Sequence, residues 1–238
     1  MKQGFVKVAS ATPRIRVADP VYNAQVICEQ AKEAAEHGAK IVVFPELCIT
    51  GYTCNDLFLQ ELLLEKAKEA LLTIAEETGQ LETLFLVGLP VDKDGRLYNV
   101  AAVLYRGRIL GMIPKKNIPM YAEFYEGRHF TPGEETVTEY RLGKQVIPFG
   151  SNLLFRCEEL PELVLGCELC EDLWVAEPPS TSHALMGATV IANLSASNET
   201  VSKDDYRTLL IKASSARLLC GYISVSYTHL TLPTILLV

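Results

Sequence analysis

Three apolar runs of buried-strand type stop abruptly in this chain, and each hands a reactive side chain to the loop that follows. Residues 41–44 (IVVF) end at Pro45 and deliver Glu46. Residues 108–113 (RILGMI) end at Pro114 and deliver Lys115 and Lys116, and the run LVLG at 163–166 leads to Cys170. Runs this apolar suit strands that are covered on both faces, so they call for a sheet lying between other layers. Side chains at strand ends are held rigidly, and open α/β sheets collect their ligands there. A carboxylate, an ammonium and a thiol meeting in one pocket would supply a base, an oxyanion stabiliser and a nucleophile.

The remainder of the chain alternates β-type runs with amphipathic segments. A strand is expected over 5–9. Asp19 is a candidate helix cap, after which Ala24, Ile27, Cys28, Ala31, Ala34 and Ala35 recur at helical spacing until His37-Gly38. A second helix is expected after Asn55-Asp56, with Leu59, Leu62, Leu63, Ala67, Ala70 and Leu71 as its apolar face. Strands follow at 84–89, then at 99–105 and 108–113 around a turn at Arg106-Gly107. Residues 115–133 are long, aromatic and irregular, which marks a functional loop more often than a linker. Further strands are expected at 146–147, 152–155, 163–166, 189–193 and 222–225, with helices near 182–186 and over 204–219. There is no repeat and no Pro/Gly-rich linker, so the pattern describes one α/β domain with helices covering a mixed sheet.

Composition narrows the partners. The net charge of −7 argues against a nucleic-acid or anionic-membrane surface, although a local pocket can still take a small zwitterion. Seven cysteines, an odd number and mostly in apolar surroundings, fit reduced thiols of a cytoplasmic protein. No run approaches the roughly 18 apolar residues of a membrane span. The four histidines are scattered without an i, i+4 pair, so no metal site is expected. The competing motif is the C-x-x-C of Cys167 and Cys170, which can mark a redox pair or half a zinc site. A full zinc site would want a second Cys or His pair, and Cys167 reads better as a core thiol.

The three strand-end segments resemble the nitrilase superfamily of carbon–nitrogen hydrolases. Phe44-Pro45-Glu46, Pro114-Lys115 and the segment 166–172 around Cys170 match that family's three motifs in order. PKKNIPMYAEFYEGRHFTPG, CELCEDLWVAEPPS and GATVIANLSASNE resemble its glutamine-dependent NAD+ synthetase branch in particular. The resemblance covers about residues 4–226 and implies a nitrilase-type α-β-β-α sandwich. It implies Cys170 as nucleophile, Glu46 as general base and then acid, and Lys115 as oxyanion stabiliser. Substrate contacts are implied at Tyr52, Tyr121, Phe124, Glu171 and Ser197. At a position where relatives carry Arg, this chain has Lys203, a point charge and not a bidentate fork. Asp172 is expected to be structural. Because free cysteine titrates near pH ~8.5, a neighbouring ammonium and base are expected to make the thiolate available.

The implied reaction is hydrolysis of the glutamine side-chain amide through a Cys thioester, with no cofactor for that step. In a complete enzyme of this branch the ammonia would pass to a synthetase domain in cis and amidate deamido-NAD+. ATP, Mg2+ and deamido-NAD+ would be ligands of that domain, which needs a Ser-Gly-Gly phosphate loop that does not occur here. Relatives are homo-oligomers. The stretch SYTHLTLPTILLV does not resemble the family, so residues 1–225 read as a C-terminally incomplete glutaminase domain and 226–238 as a non-native tail. Two other readings stay open: a free-standing amidase or N-carbamoyl hydrolase with the same three residues, and a non-catalytic interaction module with an idle site.

Overall fold

The alternating pattern resolves into four layers in a computed structural model that describes residues 5–227. Strands β1 (Val8–Ser10), β2 (Ile41–Val43), β3 (Leu84–Lys93), β4 (Arg96–Tyr105), β5 (Arg108–Pro114), β6 (Thr138–Leu142) and β7 (Gln145–Phe149) form one sheet, in the order β1-β2-β3-β4-β5-β7-β6. Strands β8 (Leu154–Arg156), β9 (Val164–Leu169), β10 (Val190–Leu194) and β11 (Gly221–Val225) form a second, in the order β11-β10-β9-β8. Both sheets are mixed: β1 to β3 run parallel and β3 to β5 antiparallel, while β9 to β11 run parallel with β8 antiparallel at the edge.

The two-residue period of the strands sorts side chains between two cores. Phe85, Val87, Leu89 and Val91 of β3 pack outward against α1 (Pro20–Glu36) and α2 (Glu61–Glu77), where Ile27, Ala31, Leu71 and Ile74 meet them. Their neighbour Leu86 points the other way, into an apolar layer shared with Leu165, Cys167, Leu169, Ala192 and Leu194 of the second sheet. On the far side of that sheet, Ile191 and Tyr222 pack with Ala184 of α3 (Pro179–Leu185) and Leu218 of α4 (Lys203–Leu218). The result is the expected α-β-β-α sandwich. Among the described residues no helix is long and apolar enough to cross a membrane.

Local signals account for the element ends. Asp19 caps α1 by accepting from Tyr22 N at 3.1 Å, and Pro20 fills the first turn. The β4–β5 hairpin turns on Arg106 and Gly107, both with positive φ (47° and 74°), as its two-residue loop requires. Three details differ from the sequence reading. The first strand is shorter, Val8–Ser10. A 3-10 turn over Asn55–Leu59 precedes α2, which starts only at Glu61. That interruption leaves Leu59 and Leu62 exposed, and Leu63 becomes the first buried leucine of the helix. Strand β6 was absent from the reading because only Tyr140 and Leu142 of its five residues are buried, too weak an alternation to register.

One glycine fits the site to the sheet. A Cβ on Gly88 of β3 would come within 2.3 Å of Leu47 N and 2.7 Å of Pro45 O, the backbone on either side of Glu46. Gly88→Ala should therefore push the Glu46 turn off the sheet and cost about 1–3 kcal/mol of stability. A urea titration of both proteins checks this, and an unchanged midpoint would mean that the turn yields freely.

Candidate active site

Glu46, Lys115 and Cys170 each stand just beyond a strand, after β2, β5 and β9. The Lys115 backbone is pinned from both sides: its N–H donates to Asn99 O at 2.8 Å, and its carbonyl accepts from Gly133 N at 2.7 Å. The Lys115 ammonium is fully buried and bridges two carboxylates, Glu46 Oε1 at 2.7 Å and Glu126 Oε1 at 2.6 Å. An ammonium has three donors, so one N–H remains beyond these two bonds. Asn99 Nδ2 also donates to Glu46 Oε1, at 2.7 Å, whereas Glu46 Oε2 is buried without a hydrogen-bond partner among the described residues. The Glu46 carbonyl accepts from the Tyr227 hydroxyl at 2.5 Å.

Cys170 opens a short 3-10 turn, Cys170–Leu173, with φ 42°, in the left-handed region that a residue with a Cβ enters only under strain. The turn is held by Asp172, whose carboxylate accepts from Leu169 N at 3.0 Å and Asn117 N at 2.8 Å. Asp172 thus has the structural part expected of it. The thiol lies within electrostatic reach of Glu46, Lys115 and Glu126, with Ser195 close by. Cys167, by contrast, points into the layer between the sheets and is fully buried.

The charges are unevenly matched. Burial pushes the Glu46 carboxyl up to about 7; Lys115 and Asn99 hold it down and Glu126 adds to the rise. Burial alone would lower the Lys115 ammonium, but Glu126, Glu46 and Cys170 together hold it well above its ordinary value. Burial, reinforced by Glu46, pushes the Cys170 thiol up to about 12 against the pull of Lys115. Burial, with two carboxylates sharing the single cation, therefore leaves a thiol here and not a standing thiolate, which suits a proton passed to Glu46 as sulfur attacks. The resting group is a thiol beside a carboxylate that titrates near neutrality.

Further side chains lead outward from these groups. Tyr52 spends its hydroxyl on Glu126 Oε1 at 2.7 Å, and its ring stands edge-on to Phe124, which also packs against Tyr121. The Tyr121 hydroxyl donates to Glu171 Oε2 at 2.8 Å. The Lys203 ammonium sits 5.7 Å from the Phe124 ring centre and 5.2 Å from that of Trp174, within electrostatic reach of Cys170 and Glu171. Ser197 is buried, its hydroxyl donating to Asn198 O at 3.4 Å and accepting from Arg207 at 3.4 Å. Tyr121, Phe124, Glu171 and Lys203 thus gather on the thiol's side, whereas Tyr52 meets Glu126 and Ser197 belongs to the Arg207-braced loop. The sequence reading did not single out Glu126, Asn99, Ser195, Trp174 or Arg207. Glu126 carried one signal, as an acid inside the aromatic loop 115–133. Among the described residues no group of three His, Cys, Asp or Glu side chains is placed to hold a metal ion.

The sequence model of the carbon–nitrogen hydrolase family matches residues 7–226. The chain belongs to the carbon–nitrogen hydrolase family. Among curated relatives, the glutamine-dependent NAD(+) synthetase of Mycobacterium bovis is 41% identical over 222 residues, 93% of this chain and 33% of the relative. This carbon–nitrogen hydrolase thus spans about a third of the curated relatives it matches. Among solved structures, a glutamine-dependent NAD(+) synthetase from Cytophaga hutchinsonii superposes with a TM-score of 0.84 at 29% identity, over 93% of this chain and 36% of that one. An amidase from Nesterenkonia sp. shares the fold, with a TM-score of 0.69 at 20% identity over 92% of this chain and 76% of that one.

Proposed function

We propose that this carbon–nitrogen hydrolase releases ammonia from the side-chain amide of glutamine through a thioester on Cys170. One observation carries the reading: a fully buried ammonium shared by Glu46 and Glu126, within electrostatic reach of a thiol on strained backbone. Glu46 takes the thiol proton as sulfur attacks the amide carbonyl carbon. The free N–H of Lys115, with the backbone N–H of Glu171, steadies the oxyanion. Collapse breaks the C–N bond, and the proton on Glu46 goes to the departing nitrogen, which leaves as ammonia. A water then gives its proton to Glu46 and its oxygen to the thioester carbonyl; glutamate departs, and the proton returns to sulfur.

Substrate choice follows from charge. Glutamine carries an α-ammonium and an α-carboxylate; Glu171, braced by Tyr121, suits the first and Lys203 the second. Phe124 and Tyr121 offer apolar walls, and Ser197 shapes the adjoining loop. The relatives' printed activity suggests the destination of the ammonia: a synthetase domain in cis, in a cytoplasmic homo-oligomer that amidates deamido-NAD+ with ATP and Mg2+. The amidase site does not fit those groups, since its paired carboxylates are already joined by Lys115, and no step above runs through them.

Ammonia release from glutamine, N-carbamoyl amino acids and simple acyl amides tests the reading. Glutamine should lead in kcat/KM by about 100-fold or more, because the other substrates leave a buried or half-buried charge unpaired. Equal turnover of an amide lacking both α groups would overturn the assignment in favour of a free-standing amidase.

A further inference from the structure

Asn99 is a fully buried carboxamide in the middle of β4, and the reaction as described gives it no part. Its contacts are unusually directed. Nδ2 donates to Glu46 Oε1 at 2.7 Å and reaches Glu126 Oε2 at 3.4 Å, while its backbone carbonyl accepts from Lys115 N at 2.8 Å. One residue therefore touches the base, the second carboxylate and the backbone of the cation. The amide cannot turn over, because its oxygen would then face two carboxylates. Its Oδ1 has no hydrogen-bond partner among the described residues. A buried polar atom left unpaired is costly, so a shape-matched apolar residue would serve the sheet better if packing were the only demand.

The arrangement acts on one torsion. The last side-chain torsion of a glutamate is broad and roughly two-fold, so a carboxylate held by one donor can exchange its oxygens. Here Lys115 and Asn99 both donate to Oε1, and Oε2 is left without a partner among the described residues. We infer that Asn99 is a positioning residue that locks the Glu46 carboxylate so that the same oxygen is always free to take the Cys170 proton. The inference rests on the reading of Glu46 as the base for Cys170. It also has a consequence for acidity, since a donor to the charged carboxylate favours loss of its proton. The other ionisable groups facing Glu46 are Lys115, Glu126, Cys170, Tyr52 and Tyr227.

The test follows the rate at which iodoacetamide alkylates Cys170 in the full chain as pH is varied, a readout that needs no substrate. In the unaltered protein the rate should rise through a limb near pH 7, where Glu46 becomes able to accept a proton. In Asn99→Ala that limb should move to about pH 8 or above, with a loss of roughly tenfold or more at pH 7, the effect of one hydrogen bond to a charged group. Asn99→Ser, which keeps a small polar side chain, should fall between the two. A lowered melting temperature with an unmoved limb would overturn the inference and leave Asn99 a packing residue, as would failure of both variants to fold. Glu46→Gln separates the two claims: if it leaves the limb in place, the base assignment fails and not the role of Asn99 in holding Glu46. Failure of the glutamine assignment would leave the alkylation result untouched.

Discussion

Cys170→Ala is expected to reduce ammonia release from glutamine to background, a loss of about 10,000-fold or more, as when a covalent nucleophile is removed elsewhere. The fold should survive, because alanine at 170 meets the same left-handed backbone strain as cysteine and the turn is held by Asp172, not by the thiol. Cys167→Ala should behave in the opposite way. Its sulfur lies in the layer between the sheets, so its loss leaves a small void and costs about 1 kcal/mol of stability, with most of the activity kept. Steady-state rates and urea midpoints for the pair check both halves. Comparable losses of activity in the two variants would favour a working C-x-x-C pair.

Lys115→Met should be the most destabilising change at the site. It leaves Glu46 and Glu126 buried side by side without their cation, and breaking a buried pair from one side costs about 3–5 kcal/mol. The deficit should depend on pH in a definite direction. Without Lys115 the folded Glu46 carboxyl, already raised by burial, holds its proton more tightly still, while in the unfolded chain it titrates near pH ~4.3. The folded form then binds more protons than the unfolded form above that pH, so stability falls as pH rises through the folded value. Urea midpoints at pH 5.5 and pH 8 should therefore show the variant closer to the parent at the lower pH. Adding Glu126→Gln to Lys115→Met should recover part of the loss, since it removes one of the two stranded charges. An equal deficit at both pH values would mean that Lys115 contributes through packing and not through charge.

The parts of this molecule that could be read from its sequence are those that depend on short stretches. Pro45 and Pro114 end strands where an apolar run could otherwise continue, so the delivery of Glu46 and Lys115 was visible without a fold. Asp19 and the Arg106-Gly107 turn were equally plain, because caps and two-residue turns demand particular residues. What escaped notice depends on pairing between distant segments. Glu126 looked like any acid in a loop until the fold placed it 2.6 Å from Lys115. Asn99 sat inside an apolar run with no sign that its amide would meet two carboxylates. The state of Cys170 depends on the same distant pairing: Lys115 alone would favour a thiolate, but burial and the paired acids outweigh it. The expected change of sequence over 226–238 falls mostly on residues 228–238, outside the described residues.

The proposed reaction turns on an acyl bond between Cys170 and a glutamine-derived carbonyl. Its most direct test is to treat the full chain with an electrophilic glutamine analogue and map the labelled peptide by mass spectrometry. One adduct is expected, on Cys170, formed more slowly when glutamine is present and lost in Glu46→Gln. Labelling that falls instead on Cys157 or Cys167, or that glutamine does not slow, would contradict it.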